Sequence, residues 1–399
     1  MSCVNSGSNY LFKQFNHLYQ EKNINKESDF ETQDSTTITL DPTILYQIGA
    51  SFSTSKTIIG SASNIRGLSS ATVLTYTGTG SLFKSVNARF GVSYIFLDAP
   101  NGTIFECIGD DTGNVNHRFN VEGIIILSCK CVLLSNGCGG QVFDLMQVSN
   151  FTGTKAFEFI GTVPALIYSF SRISVIGLLA GSAAFDFGTS ISRETELSNI
   201  ITIGHPDAIA ISGATNSANI TAGNLATVLD CNFTALTNPL FGITQEDIRW
   251  DFQGNPGIEN SMSDSLLTLT NNALPTELIQ NTPIKAVGVW VDQKSVHFVS
   301  DTTGRSTYIK ETGERLPIDI SFGIKPSSGN NVLVTVYIAI NSSIVNESKV
   351  QVNAGAIRPE AGIAIWQHDF QLNDYVEVFV ENNGSSTDLI LVNSVMRNN

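Results

Sequence analysis

Short apolar runs rich in Ile, Val and Phe recur through residues 89–243, and each is followed by a Gly or Asn turn. Six segments align on a closing glycine, at Gly109, Gly137, Gly161, Gly188, Gly213 and Gly242. These glycines lie 28, 24, 27, 25 and 29 residues apart, and a weaker copy ends at Gly80. A fixed period of this length indicates a repeat protein in which each repeat buries its apolar face against its neighbours.

The residue types of the repeat indicate strands, because β-branched and aromatic residues alternate with polar ones and no helical spacing is present. A rung of 24–29 residues suits a three-sided parallel β-helix, whereas a propeller blade needs about 40 residues. We therefore predict an all-β fold with a right-handed parallel β-helix over residues 58–243, built from about seven rungs.

A second pattern begins after residue 285, where roughly nine short apolar runs are separated by Gly, Pro, Asn or Asp. Such spacing predicts an antiparallel jelly-roll β-sandwich over residues 285–399. The runs at 332–340 and 375–380 carry apolar residues on both faces, which predicts that copies of the domain cover the outer face. The candidate trimer-interface residues are Tyr337, Trp366, Tyr375 and Phe379; sugar stacking is the alternative role for such aromatic residues.

Two other segments flank these domains. Residues 1–57 start with apolar residues at roughly helical spacing, which predicts a short amphipathic helix that docks on a larger partner or frays as a terminus. Its candidate anchoring residues are Tyr10, Leu11, Phe12, Phe15 and Leu18. Residues 244–284 contain Pro256, Pro275 and Pro283 and are predicted to form a neck or linker.

The composition limits the classes of partner that the chain can bind. A net charge of −14 with 15% charged residues argues against nucleic-acid binding and against docking to anionic membranes. No run is long and apolar enough to insert in a membrane. Four cysteines of adjacent repeats, Cys107, Cys129, Cys131 and Cys138, are expected to be free thiols stacked in the interior. No cofactor or metal is expected.

Three acids are the candidates for chemistry. Glu106 and Glu158 each precede a closing glycine by three residues, and Asp186 precedes Gly188 by two. Two rungs would separate the glutamates by roughly 10 Å, near the carboxyl spacing of about 6.5–9.5 Å in inverting glycosidases, and one rung gives about the retaining distance of 5 Å. Outward strand positions favour any polar residue, so three acids among six repeats do not by themselves indicate catalysis. We therefore expect no covalent chemistry. If the chain is an enzyme, it is a glycan hydrolase or lyase using these acids.

The segments WQHDFQL, DYVEVFVEN and TDLILVNSV resemble the strands of trimeric jelly-roll knobs of the tumour-necrosis-factor and complement-head type. A repeating β-helix that ends in such a knob is similar to tailed-bacteriophage tail fibres and tailspikes. The resemblance implies a homotrimer on the virion, assembled in the host cytoplasm, whose N-terminus binds a tail, baseplate or adaptor protein. It also implies a distal surface that binds a host glycan or protein during adsorption.

The predicted solenoid is short beside those of polysaccharide-cleaving tailspikes, which favours adhesion over depolymerase activity. A purely structural capsid or tail decoration is the other alternative.

Overall fold

The computed structural model describes residues 20–69, 72–110, 112–161, 165–214, 218–329 and 331–399. Strands hold 57% of the residues, so the all-β prediction is confirmed. Two compact units form: the first includes the described residues up to Gln245 with Trp250–Asn260, and the second comprises Glu246–Arg249 with Ser261–Asn399. The predicted anchoring residues, Tyr10, Leu11, Phe12, Phe15 and Leu18, lie outside the described residues.

The first unit contains 22 of the strands among the described residues. They are β1 (Gln20–Ile24), β2 (Thr32–Gln33), β3 (Thr37–Thr39), β4 (Ile44–Ile48), β5 (Phe52–Thr54), β6 (Thr57–Gly60), β7 (Ser63–Gly67), β8 (Val73–Tyr76), β9 (Ser81–Val86), β10 (Arg89–Ser93), β11 (Phe96–Ile108), β12 (Arg118–Asn136), β13 (Gly140–Val148), β14 (Lys155–Ile160), β15 (Ile167–Leu178), β16 (Ala183–Asp186), β17 (Thr195–Ser198), β18 (Ile201–Gly204), β19 (Ile209–Ser212), β20 (Ala226–Leu229), β21 (Leu240–Phe241) and β22 (Trp250–Gln253).

These strands form a parallel β-solenoid of about nine turns. The first face runs from β1 and β4 through β10, β13 and β17 to β22. The second includes β5, β8 and β18, and the third runs from β3 and β6 through β14 and β16 to β21. Long strands such as β12 bend to serve more than one face. The parallel ladder thus extends on both sides of residues 58–243, which is why seven glycine-phased rungs undercounted the turns.

The closing glycines are needed where successive rungs touch. A Cβ on Gly109 would collide with the carbonyl oxygen of Gly137, and one on Gly242 would collide with that of Gly213. Gly137 and Gly242 also have positive φ angles of 64° and 77°, a backbone conformation that costs side-chain-bearing residues energy. Close backbone contact therefore explains the glycines at 109 and 242, whereas at Gly188 an added Cβ would have its nearest neighbour 3.5 Å away and the positive φ of 47° is what favours glycine.

Aligned side chains fill the solenoid interior, because a parallel in-register ladder places equivalent residues of successive rungs above one another. One inward column of the first face is Tyr46, Ile65, Val92, Val121, Phe143, Phe170, Leu197, Val228 and Phe252. On the third face Phe157 stacks on Phe185 with ring centroids 4.6 Å apart, and both rings contact Phe170. The aromatic contacts add to the apolar area that each rung buries.

The cysteines differ from the expectation. Cys107 and Cys138 form a disulfide between neighbouring rungs, so the prediction of free stacked thiols is wrong for this pair. Cys129 and Cys131 are free, and Cys129 is fully buried. Cys107 is in register with Ser135, so the bond joins Cys107 to a cysteine in the turn after β12 and not to a stacked strand neighbour.

The second unit contains twelve strands among its described residues. They are β23 (Asp264–Leu269), β24 (Ile284–Lys285), β25 (Val291–Val296), β26 (Phe298–Ser300), β27 (Ser306–Tyr308), β28 (Glu314–Pro326), β29 (Val332–Ile340), β30 (Ser343–Ile344), β31 (Val350–Ala354), β32 (Glu360–Phe370), β33 (Tyr375–Asn382) and β34 (Leu389–Asn398).

These strands form two antiparallel sheets around one apolar core. The five-stranded sheet has the order β25-β23-β34-β28-β32, and the seven-stranded sheet has the path β26-β27-β33-β29-β30 with β24 on β33 and β31 on β29. Inward residues of both sheets, such as Ile320, Met396, Val336 and Val378, belong to the same core cluster. The predicted antiparallel sheets are confirmed, and the jelly-roll topology stays a prediction.

Helical structure among the described residues is limited to two 3-10 turns at Glu27–Asp29 and Asn346–Ser348. Across the same residues, no helix has the length and apolar character that crossing a membrane requires.

Candidate functional site

The three predicted acids lie in one outward column on the third face of the solenoid. The strand register pairs Glu106 with Leu134, Leu134 with Glu158, and Glu158 with Asp186. Glu106 and Glu158 are thus two rungs apart and Glu158 and Asp186 one rung apart, as the glycine phasing predicted. Leu134 separates the first glutamate from the other two acids.

Each of these carboxylates is paired with a lysine. Lys84 Nζ lies 3.1 Å from Glu106 Oε1, and Ser81 donates a 2.8 Å hydrogen bond to the other oxygen of Glu106. Lys155 Nζ lies 2.8 Å from Glu158 Oε1 and 2.6 Å from Asp186 Oδ2. Hydrogen bonds to Asp186 and Glu158 raise the pKa of Lys155. The lysine bridges the two carboxylates that a retaining glycosidase would need to direct at a substrate, so the column forms an ion-pair network across rungs.

A second set of outward residues was not singled out in the sequence. One corner of the solenoid carries a residue with positive φ in seven successive rungs: Tyr94, Gly123, Leu145, Arg172, Asn199, Asp230 and Gly254. Each follows a strand segment of the first face and turns the chain towards the second. Gly, Asn and Asp adopt this conformation readily, whereas other residues pay about 1–2 kcal/mol. Tyr94, Leu145 and Arg172 are therefore strained positions that residue type did not reveal.

Tyr94 is held in a fixed orientation at this corner. Its hydroxyl donates a 2.9 Å hydrogen bond to Glu122 Oε1. A Cβ built on Gly123 would approach Cδ1 and Cε1 of Tyr94 to 2.6 and 2.8 Å, so the ring lies over the Gly123 backbone. Burial and the hydrogen bond to Glu122 raise the pKa of Tyr94 to about 12, which favours the neutral hydroxyl that donates this bond.

Asp144 occupies the next rung, in register with Glu122. Arg172 donates to both oxygens of Asp144, from Nε at 2.8 Å and from Nη2. Ser171 adds a 2.5 Å hydrogen bond to Oδ1. Burial acts to raise the pKa of Asp144, but the hydrogen bonds from Arg172 and Ser171 outweigh it and hold that pKa below its ordinary value. Tyr94, Glu122, Asp144 and Arg172 form what we call the corner cluster.

The predicted trimer-interface residues divide between the two sheets of the second unit. Tyr337 and Phe379 are cross-strand neighbours on the seven-stranded sheet, where Tyr337 is buried and donates a 2.6 Å hydrogen bond to Glu381. Tyr375 is half-buried on the same sheet, with the Arg305 guanidinium 4.0 Å from its ring centroid. Trp366 lies on the five-stranded sheet and packs against the core. The structure therefore does not bring the four residues together on one face.

The outer face of the five-stranded sheet exposes large apolar side chains. Ile363 and Ile365 are 60% and 62% exposed, and Val395 is 40% exposed. The register places Ile363, Ser321, Val395, Thr268 and Val291 in one row across the sheet. A shallow groove of about 680 Å³ runs along this row. Three of the four candidate residues lie on the other sheet, and Trp366, on this one, packs against the core instead of this face.

Metal ligation has no support within the described ranges, where no three His, Cys, Asp or Glu side chains are grouped to hold an ion.

Three solved structures align with this chain at low sequence identity and with TM-scores below 0.5. The enzymatically active domain of tailspike protein 4 of bacteriophage CBA120 is 11% identical with a TM-score of 0.29, and the alignment covers 94% of this chain and 63% of that one. The chain thus spans less than two thirds of that domain. The tailspike protein of Acinetobacter phage vB_ApiP_P1 is 10% identical with a TM-score of 0.31, covering 87% of this chain and 82% of that one.

The vertex protein P5 of PRD1 is 12% identical with a TM-score of 0.25, covering 34% of this chain and 93% of that one. The sequence matches no protein-family model and no curated protein. At these similarities none of the three structures assigns an activity to this chain.

Proposed function

We propose that the chain is a virion appendage of the tail-fibre or tailspike type that binds a host cell-surface receptor during adsorption. In this proposal the N-terminal segment attaches it to a tail, baseplate or adaptor protein, and three copies assemble. The observation that carries the proposal is the pairing, in one chain, of a nine-turn parallel solenoid with an antiparallel two-sheet unit that leaves an apolar sheet face exposed.

The solenoid supports a role as a stiff support. At about 4.8 Å per turn, nine turns extend roughly 40 Å. Its inward columns form one continuous core from Ile24 to Phe252, so bending the solenoid would disturb contacts between every pair of neighbouring rungs. Such a support keeps the residues along its faces and corners in fixed positions for contact with a receptor.

The exposed sheet face supports self-association. A sheet face that meets water normally alternates to polar residues, whereas Ile363 and Ile365 are more than half exposed. Exposed apolar patches mark interaction sites, and copies of one chain most often associate with closed symmetry. We propose that this face, together with Tyr375 and Phe379, contributes to the contacts between copies in a homotrimer.

Glycan cleavage is the second candidate, because Glu158 and Asp186 lie at the one-rung spacing of retaining glycosidases. Lys155 pairs with both carboxylates, which favours adhesion without cleavage. Release of reducing ends from host polysaccharide, abolished by Glu158→Gln, would decide for the enzyme.

Competition for adsorption tests the proposal. Purified full-length chain, incubated with host cells first, should reduce attachment of the virus that carries it in a dose-dependent manner. Sedimentation of the purified chain should give a trimer. The double variant Ile363→Glu with Ile365→Glu should dissociate this trimer, whereas Gln367→Glu on the same strand should not. Unchanged attachment at saturating protein, or a monomer at micromolar concentration, would contradict the proposal.

A further inference from the structure

The solenoid corner that carries the corner cluster keeps large side chains where the backbone disfavours them. Tyr94 and Leu145 have φ angles of 52° and 53°, yet they are 51% and 48% exposed. Other rungs use Gly123, Asn199 and Gly254 at the same corner, which relieves the strain. Side chains this exposed gain little burial energy to offset the cost of a positive φ. Backbone strain that is kept despite its cost is a feature of binding and catalytic sites.

The Tyr94 ring has the orientation of a stacking surface. One side of the ring lies over the Gly123 backbone, where a side chain would displace it. The Tyr94 hydroxyl is fixed to Glu122, so the ring is ordered before any ligand arrives. About half of the side chain is exposed. An ordered aromatic face with a polar edge suits a flat, partly apolar ligand that also carries hydrogen-bonding groups.

The polar groups beside the ring restrict the ligand further. Among the described residues Glu122 accepts a single side-chain hydrogen bond, through Oε1. Arg172 uses Nε and Nη2 on Asp144, which leaves Nη1 for a ligand. Two carboxylates and one guanidinium give the cluster a charge of −1, on a chain whose net charge is −14. A polyanion would be repelled, whereas hydroxyl groups can donate to Glu122 and accept from Arg172.

We propose that the corner cluster binds an uncharged hexopyranose unit of a surface glycan, with the sugar ring stacked on Tyr94 and its hydroxyl groups bonded to Glu122 and Arg172. The inference rests on the proposed adsorption function and names the receptor chemistry. It places the contact on the solenoid, away from the acid column of Glu106, Glu158 and Asp186.

A printed array of neutral and acidic bacterial surface polysaccharides tests this with the full-length chain. We expect binding to neutral glycans that is at least about tenfold weaker for Tyr94→Asn, which removes the aromatic contact area. Asn tolerates positive φ, so this variant should melt no lower than the natural protein. Tyr94→Phe should keep most of the binding, and Glu122→Gln should weaken it. Asp230→Asn, at the same corner, is the matched control and should bind normally.

The outcomes separate this site from the proposed function. Glycan binding that survives Tyr94→Asn overturns the site, and so does binding confined to acidic polysaccharides. An array without any neutral-glycan signal also overturns it. If adsorption is still blocked by the purified chain in those cases, the adsorption function stands and only the corner site fails. If adsorption is unaffected as well, both fail.

Discussion

Replacing Lys155 with methionine separates a structural role of the acid column from a catalytic one. Lys155→Met keeps most of the side-chain stem but removes the ammonium that lies within 2.8 Å of Glu158 and 2.6 Å of Asp186. The two carboxylates are in register on adjacent rungs, so the variant leaves them facing each other without their shared cation. Lys84→Met is the matched control, because Glu106 has Lys84 and Leu134 as its rung neighbours and no adjacent acid.

The strand spacing sets the size of the effect. Two charges about 5 Å apart repel by about 3 kcal/mol at an effective dielectric constant of about 20. Solvent reduces this, since the Lys155 side chain is 41% exposed and Glu158 is partly exposed. We expect Lys155→Met to lower the free energy of unfolding of the solenoid by about 1–2 kcal/mol, and Lys84→Met to lower it by less than about 1 kcal/mol.

Urea unfolding is the assay, because urea leaves the ionic strength free to vary. The difference between Lys155→Met and Lys84→Met should shrink in about 1 M salt, where charges are screened within about 3 Å. Adding Asp186→Asn to Lys155→Met should restore most of the loss. Equal stability of the two lysine variants, or a difference that salt does not change, would refute an ion-pair role for the column. In the natural protein the pKa of Lys155 is raised by its two carboxylate partners. The stability from this ion pair is therefore fully present at any pH below the ordinary lysine pKa, and it is lost as pH rises through the raised pKa.

Three further predictions concern other parts of the chain. Phe170→Ala should cost about 3–5 kcal/mol in denaturant unfolding, because Phe170 is fully buried among stacked rings; a loss below about 1 kcal/mol would mean the ring column is not packed as described. Gly123→Ala should lower the melting temperature, at a cost of about 1–3 kcal/mol, because φ is 66° and the new Cβ meets the Tyr94 ring; an unchanged melting temperature would contradict the corner geometry. Burial acts to raise the pKa of Glu377, but Lys285 and Arg305 hold it below its ordinary value of 4.5. The ionised Glu377 therefore adds stability above pH 4.5, and this stability is lost as pH falls through the lowered pKa. Glu377→Gln should abolish this acid-dependent part of a pH–stability curve.

The glycine phase and the alternation of apolar residues were sufficient to predict the solenoid. In Lys155–Ile160 the apolar Phe157 and Phe159 point inward and Glu158 points outward, as period-2 alternation requires. The same phase predicted the register of Glu106 and Glu158, whereas Asp186 pairs with Glu158 although it precedes its closing glycine by two residues instead of three. The first rungs were missed because their turns lack the closing glycine on which the repeats were aligned. Tyr46 nevertheless heads the inward column of the first face.

The parts that sequence reasoning missed depend on contacts between rungs. Nothing in the local sequence of Tyr94 indicates a positive φ, since its partner is a glycine one rung later at Gly123. The disulfide between Cys107 and Cys138 joins residues 31 positions apart, and loop lengths decide whether such residues meet. Only Lys155, three residues before Glu158, was a local signal that the acids are ion-paired.

Immunogold labelling of intact virus particles with antibody against this chain tests the central claim most directly. The account predicts gold on the particle surface, at the tail or another external structure, and loss of adsorption when the same antibody is present. Recovery of the chain only in fractions without particles, or inside them, would contradict it.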